Sequence, residues 1–516
     1  MRKIEEVAKA SVRGGFHLLV GNVISLVLMA LASILIARLL GPERYGVYSI
    51  SLVIPSLILT LTDFGVNPAI IRHVAKLRSE GNVKLAVKLA KVGITFKIVI
   101  GFFTTLIAIV LADKLMMVLN RAGIEDYIRI ASFLIIGQTM SVTAQNVFLG
   151  FDKTEYTALT RIIQAVVKLV FTPILIFVGL GILGALLGHI LSYAIAGLIS
   201  LLLMWSIIYR VSDNVSSGGL KTLISYGFPL YLSIMVMNLM NNYNNIVLTW
   251  FVTNVEIGNF SVASNFLSLI GVMAMPIGTI LFPAFSKFSV EKEREEVAEF
   301  FRYSVKYTSL LMVPASVLVA MLSRELVYLI YGSEYVLSPS YLSAYIVYYL
   351  LSCLGLLVLR GFFNGVGDTK MTLKLSVIMA LVTAFLTPTL TMVQRVYGLI
   401  VSIIVSNLMA LIYGLKNLNS KYGITIDLKS SVKVLISALI AAVPVIVVRG
   451  LVKNPILSVA ASTTVYIITY LTITPLFKVL KVYELERLET TLRDIKVVKP
   501  LATLILKYEM TLIRSS

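Results

Sequence analysis

Apolar residues in this chain run in long unbroken stretches, separated by short gaps that hold nearly all of its polar residues. A helix needs roughly 20 apolar residues to cross the hydrocarbon of a bilayer. Long unalternating runs point to helices, because barrel strands would alternate. The pattern predicts about fourteen spans, at 14–40, 45–67, 92–112, 128–149, 157–179, 182–208, 223–251, 258–285, 304–323, 341–362, 371–393, 397–415, 432–449 and 456–475. The basic residues are sorted among the gaps. With the N-terminus placed inside, the only Lys and Arg of the 45 nearer an outer end are Arg38, Arg44, Lys114, Arg121, Arg129, Arg324, Arg395, Arg449 and Lys453. The positive-inside rule demands such a bias. A missed span would scramble it downstream, so it supports an even count with both termini cytoplasmic.

Composition agrees: 58% of residues are hydrophobic and 14% charged, with mean hydropathy +0.92. About 25% charged is usual for a soluble protein, so most of this surface must face lipid. The net charge of +19 is spread over many inner loops and makes no nucleic-acid footprint. A single Cys353 rules out a disulfide framework. The basic stretch 1–13 lacks a cleavage site and reads as a cytosolic end before a retained first span.

Two halves repeat. Tyr45-Gly46-Val47-Tyr48-Ser49-Ile50 after span one parallels Ile257-Gly258-Asn259-Phe260-Ser261-Val262 after span seven. Leu149 to Thr154 parallels Asn364 to Lys370, and Gly184-Ala185-Leu186 parallels Gly398-Leu399-Ile400. The glycine offsets are 212, 215 and 214. Three ordered matches at nearly one offset indicate duplication. The expected organisation is a six-helix lobe over 1–212, a second over 213–429, two further transmembrane helices over 430–475, and a cytoplasmic amphipathic tail over 476–516. Six spans per lobe leave both lobes with the same orientation, which suits a transporter whose cleft opens to either side. In the tail, Val482, Leu485, Leu488, Leu492 and Ile495 recur at helical spacing, as in a helix lying on the membrane or against a partner helix.

Several chemistries are missing. Gly is never followed by Lys, so no P-loop is present. His17, His73 and His189 have no metal-ligand spacing, and neither metal nor other cofactor is expected. Of 26 Asp and Glu, only Asp63 lies clearly within a span. It opens the helix-breaking stretch Asp63-Phe64-Gly65-Val66-Asn67-Pro68, where it pairs with a cavity cation or with Arg72. A cation-coupled drug antiporter needs a buried carboxylate, and Asp63 is its one candidate. A membrane glycosyltransferase or polymerase would call on paired outer acids, of which only Glu125 and Asp126 are adjacent.

The polar residues left within spans are the site candidates. Arg161, Gln164 and Lys168 share one face of span five. A cation at the depth of Lys168 costs at least roughly 2.5–3.5 kcal/mol and calls for a polar cavity or a partner on a neighbouring helix. Asn238, Asn241 and Asn245 share a face of span seven. Clustered amides either join helices or line a wet path, where they suit sugar hydroxyls. Gln138, Gln145 and Asn146 add to them from span four. Lys97 and Arg360 lie near the inner ends of spans three and ten and are further candidates.

Ala37-Arg38-Leu39-Leu40-Gly41-Pro42-Glu43-Arg44-Tyr45-Gly46-Val47-Tyr48, Asp63 to Ala69, Tyr226-Gly227-Phe228-Pro229-Leu230, and Gly258 to Ser261 through Phe282 to Lys287 resemble, in this order, segments of the Wzx-type polysaccharide-biosynthesis flippases of the MOP superfamily. The similarity covers most of spans one to twelve. At Asn244-Asn245 the chain departs from relatives that often carry an acid there, which speaks against cation coupling through span seven. The resemblance implies an all-α, MATE-like integral membrane protein of the cell membrane, and not an enzyme. Its implied cargo is a polyprenyl- or dolichyl-(pyro)phosphate-linked oligosaccharide. On this reading Arg161, Lys168, Lys97 and Arg360 are headgroup candidates, and Gln164, Asn238, Asn241 and Asn245 face the glycan. Asp63 serves coupling or an ion pair. Membrane lipids and glycan polymerases or transferases are the implied partners, and a monomer the expected state.

Overall fold

The computed structural model describes residues 2–208, 218–288, 292–486, 506 and 508–513. Among them there are helices and no strands. In chain order the helices are α1 (Arg2–Ser51), α2 (Val53–Leu61), α3 (Val66–Ser79), α4 (Val83–Val118), α5 (Glu125–Ala131), α6 (Phe133–Gly150), α7 (Thr154–Leu175), α8 (Gly181–Ile208), α9 (Gly218–Phe251), α10 (Asn254–Phe285), α11 (Arg294–Met321), α12 (Ser323–Ile330), α13 (Ser338–Tyr345), α14 (Val347–Leu350), α15 (Leu356–Gly365), α16 (Thr369–Asn417), α17 (Leu428–Leu451) and α18 (Pro455–Leu476).

Nine helical stretches among the described residues are long and apolar enough to cross a membrane, or ten if the pair Ser338–Leu354 and Leu356–Gly365, bent by 48°, is one span. The chain is therefore a multi-pass membrane protein. Three of the nine, Gly14–Leu61, Thr154–Ser206 and Thr369–Tyr422, run 48, 53 and 54 residues. At 1.5 Å per residue a straight helix of that length would exceed ~70 Å, over twice the hydrocarbon thickness. Each is broken where a loop was expected. Gly41 (φ 72) stands before Pro42, Gly179 (φ 96) divides α7 from α8, and Arg395 (φ 54) interrupts α16. Each stretch thus holds two of the expected spans.

The chain forms two compact units, 1–261 with 387–396, and 262–386 with 397–516. The expected lobe boundary at 212/213 lies outside the described residues. In the first unit the core is Val66, Ile70 and Val74 of α3 against Ala86 and Ala90 of α4 and Phe148 of α6. Span seven, α9, packs here against α2, α3 and α4. Tyr231 donates to the carbonyls of Thr60 and Leu61 at 2.9 Å each, and Asn242 donates to Thr60 Oγ1 at 3.2 Å. The backbones of Gly65 and Gly227 touch, so that a Cβ on either would meet the other's carbonyl near 2 Å.

The first repeated segment meets its counterpart inside this unit. A Cβ on Gly46 would lie 1.9 Å from the Asn254 carbonyl oxygen, and one on Gly258 would lie 1.9 Å from that of Pro42. In each case the blocking carbonyl precedes the other glycine by four residues. Ser261 Oγ and Ser49 Oγ, related by the same 212-residue offset, are 3.1 Å apart. The two glycine contacts are each other's counterparts under the 212-residue offset.

Five of the nine cations that the sequence assigns to outer ends have local duties. Arg129 pairs with Asp113 at 2.6 Å, Arg395 with Glu256 at 2.5 Å and Arg449 with Glu325 at 2.7 Å. Arg324 lies over the Tyr328 ring. Arg121 donates to Thr249 O at 2.8 Å, to Asn254 Oδ1 at 2.7 Å and to Val252 O, closing the carbonyl end of α9. Helix ends leave such carbonyls unmatched, and a cation there also meets the negative end of the dipole. Arg121→Met should lower stability by about 2–3 kcal/mol, read as a drop in the thermal unfolding midpoint of the purified chain.

The second unit has buried clusters around Phe285, Phe301 and Phe362, and around Val434, Ala438, Tyr466 and Tyr470. The described parts of the tail pack on this unit. Leu480, Leu485 and Leu506 bury against Tyr307 and Leu310 of α11. Of the expected tail stripe, Leu488, Leu492 and Ile495 lie outside the described residues. Burial pushes the Glu509 carboxyl up to about 7, beside Thr474 and Tyr470. A raised carboxyl stabilises the docked tail fully below the unfolded value near 4.5, and that contribution is lost as pH rises through 7. Limited proteolysis of the tail should therefore be faster at pH 8.5 than at pH 5.5, and Glu509→Gln should remove the difference.

Candidate functional site

A cavity of about 470 Å³ lies within the first unit, between α2, α3, α4, α6 and α9. Only Leu59, Pro68, Val142 and Met235 of its lining residues are apolar. It begins at the break the sequence announces. Phe64 (φ 52) and Gly65 (φ 71) turn the chain between α2 and α3, which leaves the carbonyl end of α2 and the Asp63 side chain facing α4. Lys97 of α4 occupies that spot. Its Nζ is 2.8 Å from Asp63 Oδ1, 3.4 Å from Thr62 O and 3.5 Å from Asp63 O. Lys97 is buried while Asp63 stays partly open to the cavity. Asn67 Nδ2 also donates to Asp63 Oδ1 at 2.8 Å, and its own Oδ1 is buried without a partner among the described residues. Arg72, the other expected partner of Asp63, lies instead over the Tyr226 ring at 4.1 Å.

Opposite the pair, α9 presents Asn238, Asn241 and Asn245, all exposed, and α6 adds Gln138 and Thr139. Among the described residues Asp63 and Lys97 are the only charged ones in the lining, so this lining is formally neutral and rich in amides. It offers donors and acceptors to hydroxyls and one cation held by a carboxylate that an incoming anion would have to replace.

The other candidates lie elsewhere. Arg161 of α7 donates to Gln145 Oε1 at 3.1 Å and to Asn22 Oδ1, tying α7 to α6 and α1. Gln164 is buried beside Tyr193. Lys168 Nζ is 3.2 Å from His189 Nε2, and His189 Nδ1 is 2.9 Å from the Tyr48 hydroxyl. This chain joins α7, α8 and α1, and none of the three α7 residues lines the cavity. Arg360, in the second unit, points a guanidinium nitrogen at Met379 Sδ, 3.6 Å away. No signal in the sequence marks His189, Tyr48, Tyr231 or Asn242 as a site residue. His189 is a lone histidine whose partners lie 21 and 141 residues away, so no local spacing marks it.

Comparison with known proteins fits this geometry. A candidate O-antigen transporter of Shigella dysenteriae is 20% identical over 287 residues, covering 56% of this chain and 71% of that protein. The lipid II flippase MurJ in an inward closed conformation superposes with TM-score 0.74 at 16% identity, covering 89% of this chain and 98% of that one. An inward-facing multidrug resistance MATE transporter of the MOP superfamily gives 0.66 at 17% identity, covering 79% and 98%. These two establish the MATE-like fold. The family model described as polysaccharide biosynthesis protein matches residues 35–338, more than half of the sequence, and the chain belongs to that family.

Proposed function

We propose that this protein flips a polyprenyl- or dolichyl-(pyro)phosphate-linked oligosaccharide from the cytosolic to the outer leaflet, for surface polysaccharide or glycoprotein assembly. The observation that carries the reading is a formally neutral, amide-lined cavity with one buried lysine beside one carboxylate. An anionic headgroup needs a cation, and in a low-dielectric cleft that attraction is far stronger than in water. The glycan needs neutral donors and acceptors. The phosphate takes the place of the Asp63 carboxylate on the Lys97 ammonium. Asn238, Asn241 and Asn245 take the sugar hydroxyls while the lipid tail stays in the bilayer. Alternating access then turns the cavity outward. Arg161 and Lys168, which already have polar partners on neighbouring helices, brace the bundle. The chain performs no covalent step. Its family and the names of its relatives support this reading over that of a glycosyltransferase.

Asn241→Leu with Asn245→Leu should weaken binding of the lipid-linked oligosaccharide to the purified protein by about tenfold or more, at roughly 1 kcal/mol per lost hydrogen bond. Binding of the bare polyprenyl phosphate should stay unchanged. Equal loss for both ligands would contradict the division between headgroup and glycan. The competing reading is a cation-coupled drug antiporter using Asp63. Loss of ion-driven drug efflux from vesicles on Asp63→Asn would establish it instead.

A further inference from the structure

A second cavity, of about 460 Å³, opens in the second unit where α11 and α17 begin and α18 ends. The charge sorting of the sequence assigns that end to the inner side. Its lining carries six cations, Arg302, Lys306, Lys429, Lys433, Lys478 and Lys481, against Glu299, Asp427 and Glu484. The acids are engaged. Glu484 holds buried Lys306 at 2.7 Å, Asp427 caps α17 through Ser430, and Glu299 is tied to Tyr303. Arg302 is held by the Thr425 carbonyl at 3.1 Å, and Lys433 reaches the Lys478 carbonyl at 3.4 Å. Lys429, Lys478 and Lys481 remain exposed, without a carboxylate partner among the described residues. Tyr303 and Tyr483, joined hydroxyl to hydroxyl at 3.0 Å, complete the wall.

Three unneutralised ammonium groups converging on a pocket are suited to a phosphate. The neighbouring surface says what the phosphate is attached to. Leu428, Val432 and Ile436 recur every four residues on α17 and are exposed; Leu428 adjoins Lys429, Val432 adjoins Lys433, and Ile436 lies one turn beyond Lys433. Leu476 and Phe477, exposed at the end of α18, directly precede Lys478. We infer that this pocket binds the phosphate headgroup of an anionic membrane lipid, with the acyl chains along the exposed stripe of α17. Basic pockets between helices on the cytoplasmic side take such headgroups. The site is separate from the translocation cavity and does not depend on the flippase reading.

The test is native mass spectrometry of the delipidated full-length protein, titrated with phosphatidylglycerol, with phosphatidylcholine of the same chains, and with inorganic phosphate. Phosphatidylglycerol should bind more tightly than either of the others. Lys429→Gln with Lys478→Gln should weaken it about 25-fold, at about fivefold per cation near an anionic lipid. Neither residue has an ion pair to lose, so the thermal midpoint should hold. Lys453→Gln, beyond the far end of α17, should change nothing. Equal binding of the two lipids, undiminished binding in the double variant, or inorganic phosphate binding as tightly as phosphatidylglycerol would overturn the assignment.

Discussion

Lys97→Gln should cut translocation of the lipid-linked oligosaccharide by at least about 30-fold. Truncating one partner of a buried, hydrogen-bonded charge pair costs roughly 2–5 kcal/mol, and 2 kcal/mol is already a factor of about 30. Among the described residues Lys97 is the only cation lining the first cavity, so no described neighbour can take over. Asp63→Asn should act in the opposite sense on binding. Asparagine keeps a hydrogen-bonding oxygen for Lys97 and Asn67 but no longer competes with an anion for the ammonium. The half-saturating substrate concentration should fall about tenfold, while turnover slows because release weakens. A pair that served only structure would show both variants losing stability together with no opposed shift in substrate affinity. The measurement is initial flux against substrate concentration in proteoliposomes, with the thermal midpoint followed alongside.

Gly46→Ala and Gly258→Ala should each break the contact between the two repeated segments. The new Cβ would sit 1.9 Å from a backbone carbonyl oxygen, and no rotamer change relieves a clash with backbone. Overpacking of this kind costs about 1–3 kcal/mol, occasionally more. In a protein with two global states, 3 kcal/mol shifts the balance by about 150-fold toward whichever state lacks the contact. Ser49 and Ser261 report on it directly, because their hydroxyls are 3.1 Å apart. In a Cys353→Ser background, Ser49→Cys with Ser261→Cys should cross-link readily. Adding Gly46→Ala should reduce the cross-linking rate at least tenfold. An unchanged rate would mean that Gly46 and Gly258 do not sit in close backbone contact.

Much of the fold was legible because its signals are local. Gly41-Pro42 sits in a gap between apolar runs, and the helix breaks there. Phe64-Gly65 ends α2 and sets Asp63 at a turn. The amides of α9 could be placed on one face because three- and four-residue spacings fix a helical side. What that side faces is a tertiary matter. Asn238, Asn241 and Asn245 reach the cavity only because α9 packs against α2, α3 and α4, and no periodicity chooses the neighbour. The cations show the same limit. Lys168 stood out by its depth, yet its partner is His189 on another helix. Lys97 reads only as a further candidate near the inner end of span three, and it is the one that meets Asp63, 34 residues earlier. Arg121 counted as an outer-loop charge, whereas its fork closes the end of α9 from a segment over a hundred residues away. Depth and spacing were readable; the pairing of distant charges was not.

On the proposed reading, a lipid-linked oligosaccharide crosses the membrane by way of Lys97 and the amide-lined cavity. The most direct test places a labelled polyprenyl-pyrophosphate oligosaccharide in one leaflet of proteoliposomes and follows its exposure to an external glycosidase. Rapid exposure with the wild-type chain, slowed at least about 30-fold by Lys97→Gln in a folded protein, is the predicted result. Exposure no faster than in protein-free vesicles, or equal flux with and without Lys97, would contradict it.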